Sequence, residues 1–143
     1  LEPSQGMRRK AQPNIEASGL DVEFIDLPGE SIPLEAKSVD TVLITFTLCS
    51  IDEAAAALEG MRRVLRPGGR LLYCEHGAAP DANVRRWQQR LNPTWKRFSG
   101  GCNMNRDIPA LIEAGGFRIS TDERMYVPGP RILSYNYWGT AKT

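Results

Sequence analysis

The stretch from Val39 to His76 places the tightest constraint on what this chain can fold into. VDTVLITFTL (39–48) is nearly continuous and β-branched after Asp40, the pattern of a parallel-sheet strand covered on both faces. Ser50 and Asp52 follow as candidate helix N-caps, with Glu53 placed three residues after Ser50 as in a capping box. Ala54, Ala57, Leu58, Met61, Val64 and Leu65 then recur at helical spacing and form one apolar face. Arg66 precedes Pro67 and is pushed out of the helical region. Gly68 and Gly69 admit positive φ, so the chain can reverse into a second strand, RLLYCEH (70–76). Strand, helix, turn and strand make a βαβ unit with a right-handed crossover. Its parallel strands end on one edge, where ligands of open α/β sheets bind. Leu48-Cys49-Ser50 and Glu75-His76 both fall on that edge.

The flanks extend the pattern. QGMRRKA (5–11) reads as a short basic helix and VEFIDL (22–27) as a strand stopped by Pro28-Gly29. Residues 82–91 read as a helix with Val84, Trp87 and Leu91 on one face. Asn92 and Pro93 then restart a helix as cap and first residue, with Trp95 and Phe98 continuing the stripe. Asn105 or Asp107 opens another helix, carrying Ile108, Leu111 and Ile112 and closed by Gly115-Gly116. The last two apolar runs are joined by Pro128-Gly129-Pro130, a link short enough to imply an antiparallel pair at the sheet edge.

At 143 residues the chain supports one domain with a real core, and its 41% hydrophobic content is that of a globular protein. A net charge of +1 gives no global field for nucleic acid, and none is expected as a partner. No apolar run reaches the ~20 residues of a membrane span. Cys49, Cys74 and Cys102 show no CxxC spacing, so no metal site is expected and reduced thiols in the cytoplasm are. The chain opens on Leu1 with Glu2-Pro3-Ser4 ahead of any strand, which reads as a truncated or processed start.

These elements in this order resemble the C-terminal two-thirds of a class I S-adenosylmethionine-dependent methyltransferase. The resemblance rests on GMRRKA, VDTVLITFTLCSI, MRRVLRPGGRLLYCEH and the terminal hairpin, and it spans essentially the whole chain. Within that superfamily the thiol methyltransferase-like branch is the nearer match. It carries a comparable series, here Leu48-Cys49-Ser50, Leu65 to Gly69, Glu75-His76, Trp87-Gln88-Gln89, Asn92 to Trp95, and Gly101-Cys102-Asn103 with Arg106. The resemblance implies an α/β, Rossmann-like sheet, partly parallel with a C-terminal antiparallel hairpin, in one incomplete domain over 1–143. It implies S-adenosylmethionine as cofactor, contacted by Glu2 (ribose hydroxyls), the Gly29 N–H (adenine), Thr47 and Leu48. The branch does not fix the substrate; a small, lipophilic methyl acceptor is expected, with sulfur, nitrogen, oxygen and carbon all open as the accepting atom.

Two departures stand out. The superfamily's first strand and GxGxG loop are absent from these residues, and Pro28 stands where an acidic residue is usual. Without a first strand, the Val39 strand has an open edge. A partner chain, a lost N-terminal segment or a rearranged VEFIDL strand is expected to cover it.

The acceptor side is expected to gather His76, Glu75, Cys49, Cys102 and Trp87. His76, the only histidine, suits a base that takes a proton from the acceptor near neutral pH; a structural hydrogen-bonding role is the competing reading. Glu75 would hold the His76 tautomer or bind a cationic substrate, or else face solvent or an arginine. Cys49 and Cys102 would line the pocket or simply pack as small apolar groups. A three-thiol site for arsenic is a further, weak option. VRRWQQRLNPTWKRF (84–98) would be a lid over the acceptor, a plain covering helix, or a membrane-surface face, the last opposed by Pro93. The competing reading of the whole is a non-catalytic methyltransferase remnant that binds or assembles.

Overall fold

The computed structural model describes all of residues 1–143. In chain order it contains α1 (Gln5–Ser18), β1 (Val39–Thr45), α2 (Ala54–Val64), β2 (Leu65–His76), α3 (Ala82–Phe98), α4 (Ile108–Ala114), β3 (Arg118–Tyr126) and β4 (Tyr135–Lys142). The strands form one sheet in the order β1-β2-β4-β3. β1 and β2 run parallel across the α2 crossover, while β4 lies antiparallel to both β2 and β3. The Rossmann-like, partly parallel sheet with a terminal hairpin is therefore present.

The apolar face read along α2 is the buried one: Ala54, Ala57, Leu58, Met61 and Val64 all face inward. They pack with Ile44, Leu71 and Tyr73 of the sheet and with Ile108 and Ile112 of α4. Each fully buried Leu, Ile, Met or Val among them stabilises the fold by about 1.5–3 kcal/mol. The turn at Arg66–Gly69 is a bulge: Val39 pairs with Leu65, but Thr41 pairs with Arg70. Gly68 takes φ +80° there. Asp40 accepts from Arg66 Nη1 through both carboxylate oxygens, a solvated pair of small energetic weight.

Several expectations need correction. β1 is covered on one face, not two: Ile44 is 5% exposed, whereas Leu43 is 65% exposed. α1 buries no side chain, so it does not cover that outer face. VEFIDL forms no strand, because no neighbouring strand offers it a ladder. It is held by the Glu2 N–H donating to Ile25 O at 3.1 Å. α1 runs to Ser18 rather than stopping at residue 11, with Pro13 inside it and Gly19 as a left-handed cap.

The helix after β1 starts at Ala54 with no side-chain cap. Ser50 Oγ instead sits 3.4 Å from Cys49 Sγ, and Asp52 pairs with Lys96 at 2.8 Å. Asn92 caps nothing, because α3 runs unbroken through Pro93. Its side chain donates to Asn103 Oδ1 and accepts from the Met104 N–H. Of the two starts open for α4, the chain uses Asp107, which accepts from the Ala110 N–H. No helix is long and apolar enough to cross a membrane.

Candidate active site

Alternation along β2 decides what its two terminal polar residues do. Leu71, Tyr73 and Glu75 share the buried face, while Leu72, Cys74 and His76 share the half-buried one. Glu75 is fully buried. Its Oε1 accepts the N–H groups of Thr47 at 2.7 Å and Leu48 at 3.1 Å, and Oε2 accepts that of Cys49 at 3.3 Å. Burial pushes its carboxyl above the usual range, against the pull of those three amides. Glu75 thus shapes the turn after β1 and has no free face for substrate, which corrects its expected substrate role.

His76, one residue on, points to the other side. Its Nε2 lies 2.8 Å from Cys102 Sγ. Cys49 joins them: Cys49 Sγ, Cys102 Sγ and a ring nitrogen of His76 all lie within 4.8 Å of one another. Both cysteines are buried and all three in the chain are free thiols. The neighbouring Cys102 sulfur, then burial, drives the Cys49 thiol up. The Cys49 sulfur drives Cys102 down against its burial, and His76 acts in the same direction.

Long-range contacts assemble this corner. The Asn103 backbone and side-chain N–H groups both donate to Cys49 O, at 2.7 and 3.1 Å. Arg106 Nη1 donates to the carbonyls of Leu48 and Ile51, and Arg106 O accepts the Ala78 N–H at 2.8 Å. Gly77 permits that approach, since a Cβ there would sit 2.3 Å from Arg106 O. α3 is anchored beside it by Gln88, which is buried and bonds Ala79 N, Gly77 O and Ile132 O.

The expected cofactor residues converge in part. Glu2, Gly29 and Thr47 line one groove of about 350 Å³ with Pro28, Phe46, Ser50 and Ile51. Leu48 does not: its side chain is fully buried in the core, and only its backbone serves the turn. Glu2 Oε1 accepts from the Ser4 N–H at 2.8 Å, which leaves Oε2 to accept from vicinal hydroxyls. A Cβ at position 29 would meet Ile51 Cδ1 at 2.8 Å, so glycine keeps that wall of the groove close-fitting. Carboxylate on one side and Pro28, Phe46 and Ile51 on the other suit a nucleoside. A larger depression of about 600 Å³ lies between the 27–33 segment and α2, away from the strand ends.

Trp87 does not reach the sulfur corner. It is 53% exposed on the outer side of α3 with the Arg90 guanidinium over its ring. The buried position of that helix is Gln88, and the adjacent residue is turned ~100° away. Trp95 is the tryptophan near Cys102, and its Nε1 is buried without a hydrogen-bond partner. Phe46 escaped the sequence reading. It adopts φ +49°, lines the groove and lies 6.0 Å from the His76 ring, so it joins groove to corner. Phenylalanine is not among the residue types, such as Asn, Asp and His, that favour a left-handed position, so its sequence gives no signal there.

Residues 1–73 match the family model described as a methyltransferase domain. The chain is 37% identical over 118 residues to the human thiol S-methyltransferase TMT1B, covering 77% of this chain and 48% of that protein. It is 38% identical over 96 residues to human thiol S-methyltransferase TMT1A, covering 66% and 39%. The chain thus spans about half or less of the length of the curated relatives it matches. Among solved structures, a SAM-dependent methyltransferase from Methanosarcina mazei superposes with TM-score 0.75 at 16% identity, over 98% of this chain and 78% of that one.

Proposed function

Since this chain belongs to the methyltransferase-domain family, we propose that it takes part in methyl transfer from S-adenosylmethionine to a small, lipophilic thiol. The observation that carries the thiol reading is the 2.8 Å approach of His76 Nε2 to Cys102 Sγ beside a nucleoside-sized groove. The names of the TMT1 relatives agree with it. The chain would form the acceptor-side part of a single methyltransferase domain, in keeping with the share of its relatives that it covers.

S-adenosylmethionine supplies an electrophilic methyl on a sulfonium. Glu2 would bind the ribose hydroxyls and the Gly29 N–H the adenine edge, with Thr47 and Phe46 lining the groove toward the acceptor. His76 takes the acceptor's thiol proton. Thiolate attack forms the new sulfur–methyl bond. The sulfonium–methyl bond breaks, and its electron pair stays on S-adenosylhomocysteine. Holding the partners in line is the main catalytic contribution. The exposed Phe46 ring lining the groove favours a lipophilic acceptor. Three free thiols fit a cytoplasmic setting. A further stretch of polypeptide, or a partner, covers the open edge of β1.

The test is calorimetric binding of S-adenosylhomocysteine, followed by mass detection of methyl thioethers from a panel of thiols. Micromolar binding with product that rises with acceptor lipophilicity supports the proposal. Binding with methylation of amines or phenols alone overturns the thiol. The uncovered outer side of β1, where Leu43 is 65% exposed, favours a second reading, a non-catalytic module that binds or assembles. Absence of any binding heat selects it.

A further inference from the structure

Cys49 comes from the turn after β1, His76 from the end of β2, and Cys102 from the loop before α4. These distant segments bring three soft ligand atoms within 4.8 Å of one another. We propose that Cys49, Cys102 and His76 bind one zinc-class divalent cation, and that its fourth position takes the sulfur of the thiol acceptor. The inference rests on the thiol reading above and deepens it.

The chemistry of the set argues for a thiophilic ion. Two thiolates and a neutral imidazole cancel the charge of a divalent cation, so the loaded site is neutral and cheap to bury. Three protein ligands leave a tetrahedral ion one open position, the arrangement of catalytic rather than structural zinc. Zn–S near ~2.3 Å and Zn–N near ~2.0 Å put adjacent ligands about 3.5–3.8 Å apart, so His76 and Cys102 need to separate by less than about 1 Å.

The surroundings hold the ligands in place. Asn103 ties the Cys102 loop to Cys49 O, and Arg106 ties the next residues to Leu48 O and Ile51 O.

A thiol entering the fourth position loses its proton to solvent. Transfer then forms its bond to the methyl group and breaks the sulfonium–methyl bond, with the electron pair leaving on S-adenosylhomocysteine. The thioether product is a poor ligand and departs. In the loaded protein His76 is a ligand, and the base role belongs to the metal-free protein only.

The test uses the reduced, chelator-treated chain. Cobalt(II) is added as the spectroscopic probe and zinc(II) competes against a chromophoric chelator. The expected result is one equivalent bound, with thiolate-to-cobalt charge transfer and intense tetrahedral visible bands that zinc abolishes. Cys49→Ser and Cys102→Ser each remove those bands and weaken zinc binding by at least ~10-fold, while Cys74→Ser changes neither. Serine at a buried site can unfold the chain, so the unaltered protein is also alkylated with iodoacetamide. Zinc should slow modification of Cys49 and Cys102 but not of Cys74. A pale octahedral spectrum, or alkylation that zinc leaves unchanged, overturns the site. Thiol methylation by chelator-treated protein that gives no cobalt bands overturns the metal alone and leaves the thiol acceptor standing. Cobalt bands without thiol methylation keep the metal and overturn the fourth-position role.

Discussion

Glu75 and Thr47 are joined by a hydrogen bond of 2.7 Å, from the Thr47 backbone N–H to Glu75 Oε1, across 28 residues of sequence. Leu48 and Cys49 donate to the same carboxylate. One buried side chain thereby fixes the turn that ends in the groove on one side and the sulfur corner on the other.

Glu75→Gln tests that relationship. An amide offers one acceptor oxygen and turns its NH₂ toward a backbone donor. The loss should be about 1.5–3 kcal/mol. It is read as a lower urea midpoint at unchanged slope. An unaltered midpoint would mean that the turn holds without the carboxylate.

Gly77→Ala and Gly68→Ala should separate packing from backbone strain. At 77 a Cβ meets Arg106 O at 2.3 Å and Ile108 Cγ1 at 3.0 Å, both pinned. The cost should be about 1–3 kcal/mol, and the Cys102 loop should gain amide exchange. At 68 the space is open and only the φ of +80° is unfavourable, so about 1 kcal/mol is expected with no change at the loop. Equal exchange in both variants would show that Gly77 does not position the loop.

Stability should fall at alkaline pH because of Tyr137. Burial first, then the charge of Asp107, pushes its phenol from 10.0 up to about 12. The folded state holds the proton more tightly than the unfolded one. Its contribution is therefore intact below pH 10 and is lost as pH rises toward 12. Tyr137→Phe should flatten that decline in chemical denaturation across the window. It should also lower stability at neutral pH, because the hydroxyl donates to Ala78 O.

Leu43→Glu probes the open side of β1. Leu43 is 65% exposed, so thermal stability should change by less than about 0.5 kcal/mol. Self-association by light scattering should decrease if the uncovered edge and face are what chains share. Unchanged scattering would direct attention away from β1.

The sequence by itself determined the βαβ unit. Its periodicities of two and 3.6 are local properties of the chain, and α2 buries the face that spacing chose. It also determined that Cys49, Glu75 and His76 gather at one sheet edge, since parallel strands must end together. It did not determine which of Glu75 and His76 turns inward. That follows from pleat and register, where one residue of shift exchanges the two faces. Nor could it choose Trp95 over Trp87, because the rotation of α3 is set by Gln88 reaching Gly77, Ala79 and Ile132. The VEFIDL segment has a strand's composition but no strand beside it, and a ladder needs both members. Only the folded chain could bring Cys102 to His76, because that contact depends on bonds between loops more than 50 residues apart, such as those from the Asn103 backbone and side chain to Cys49 O.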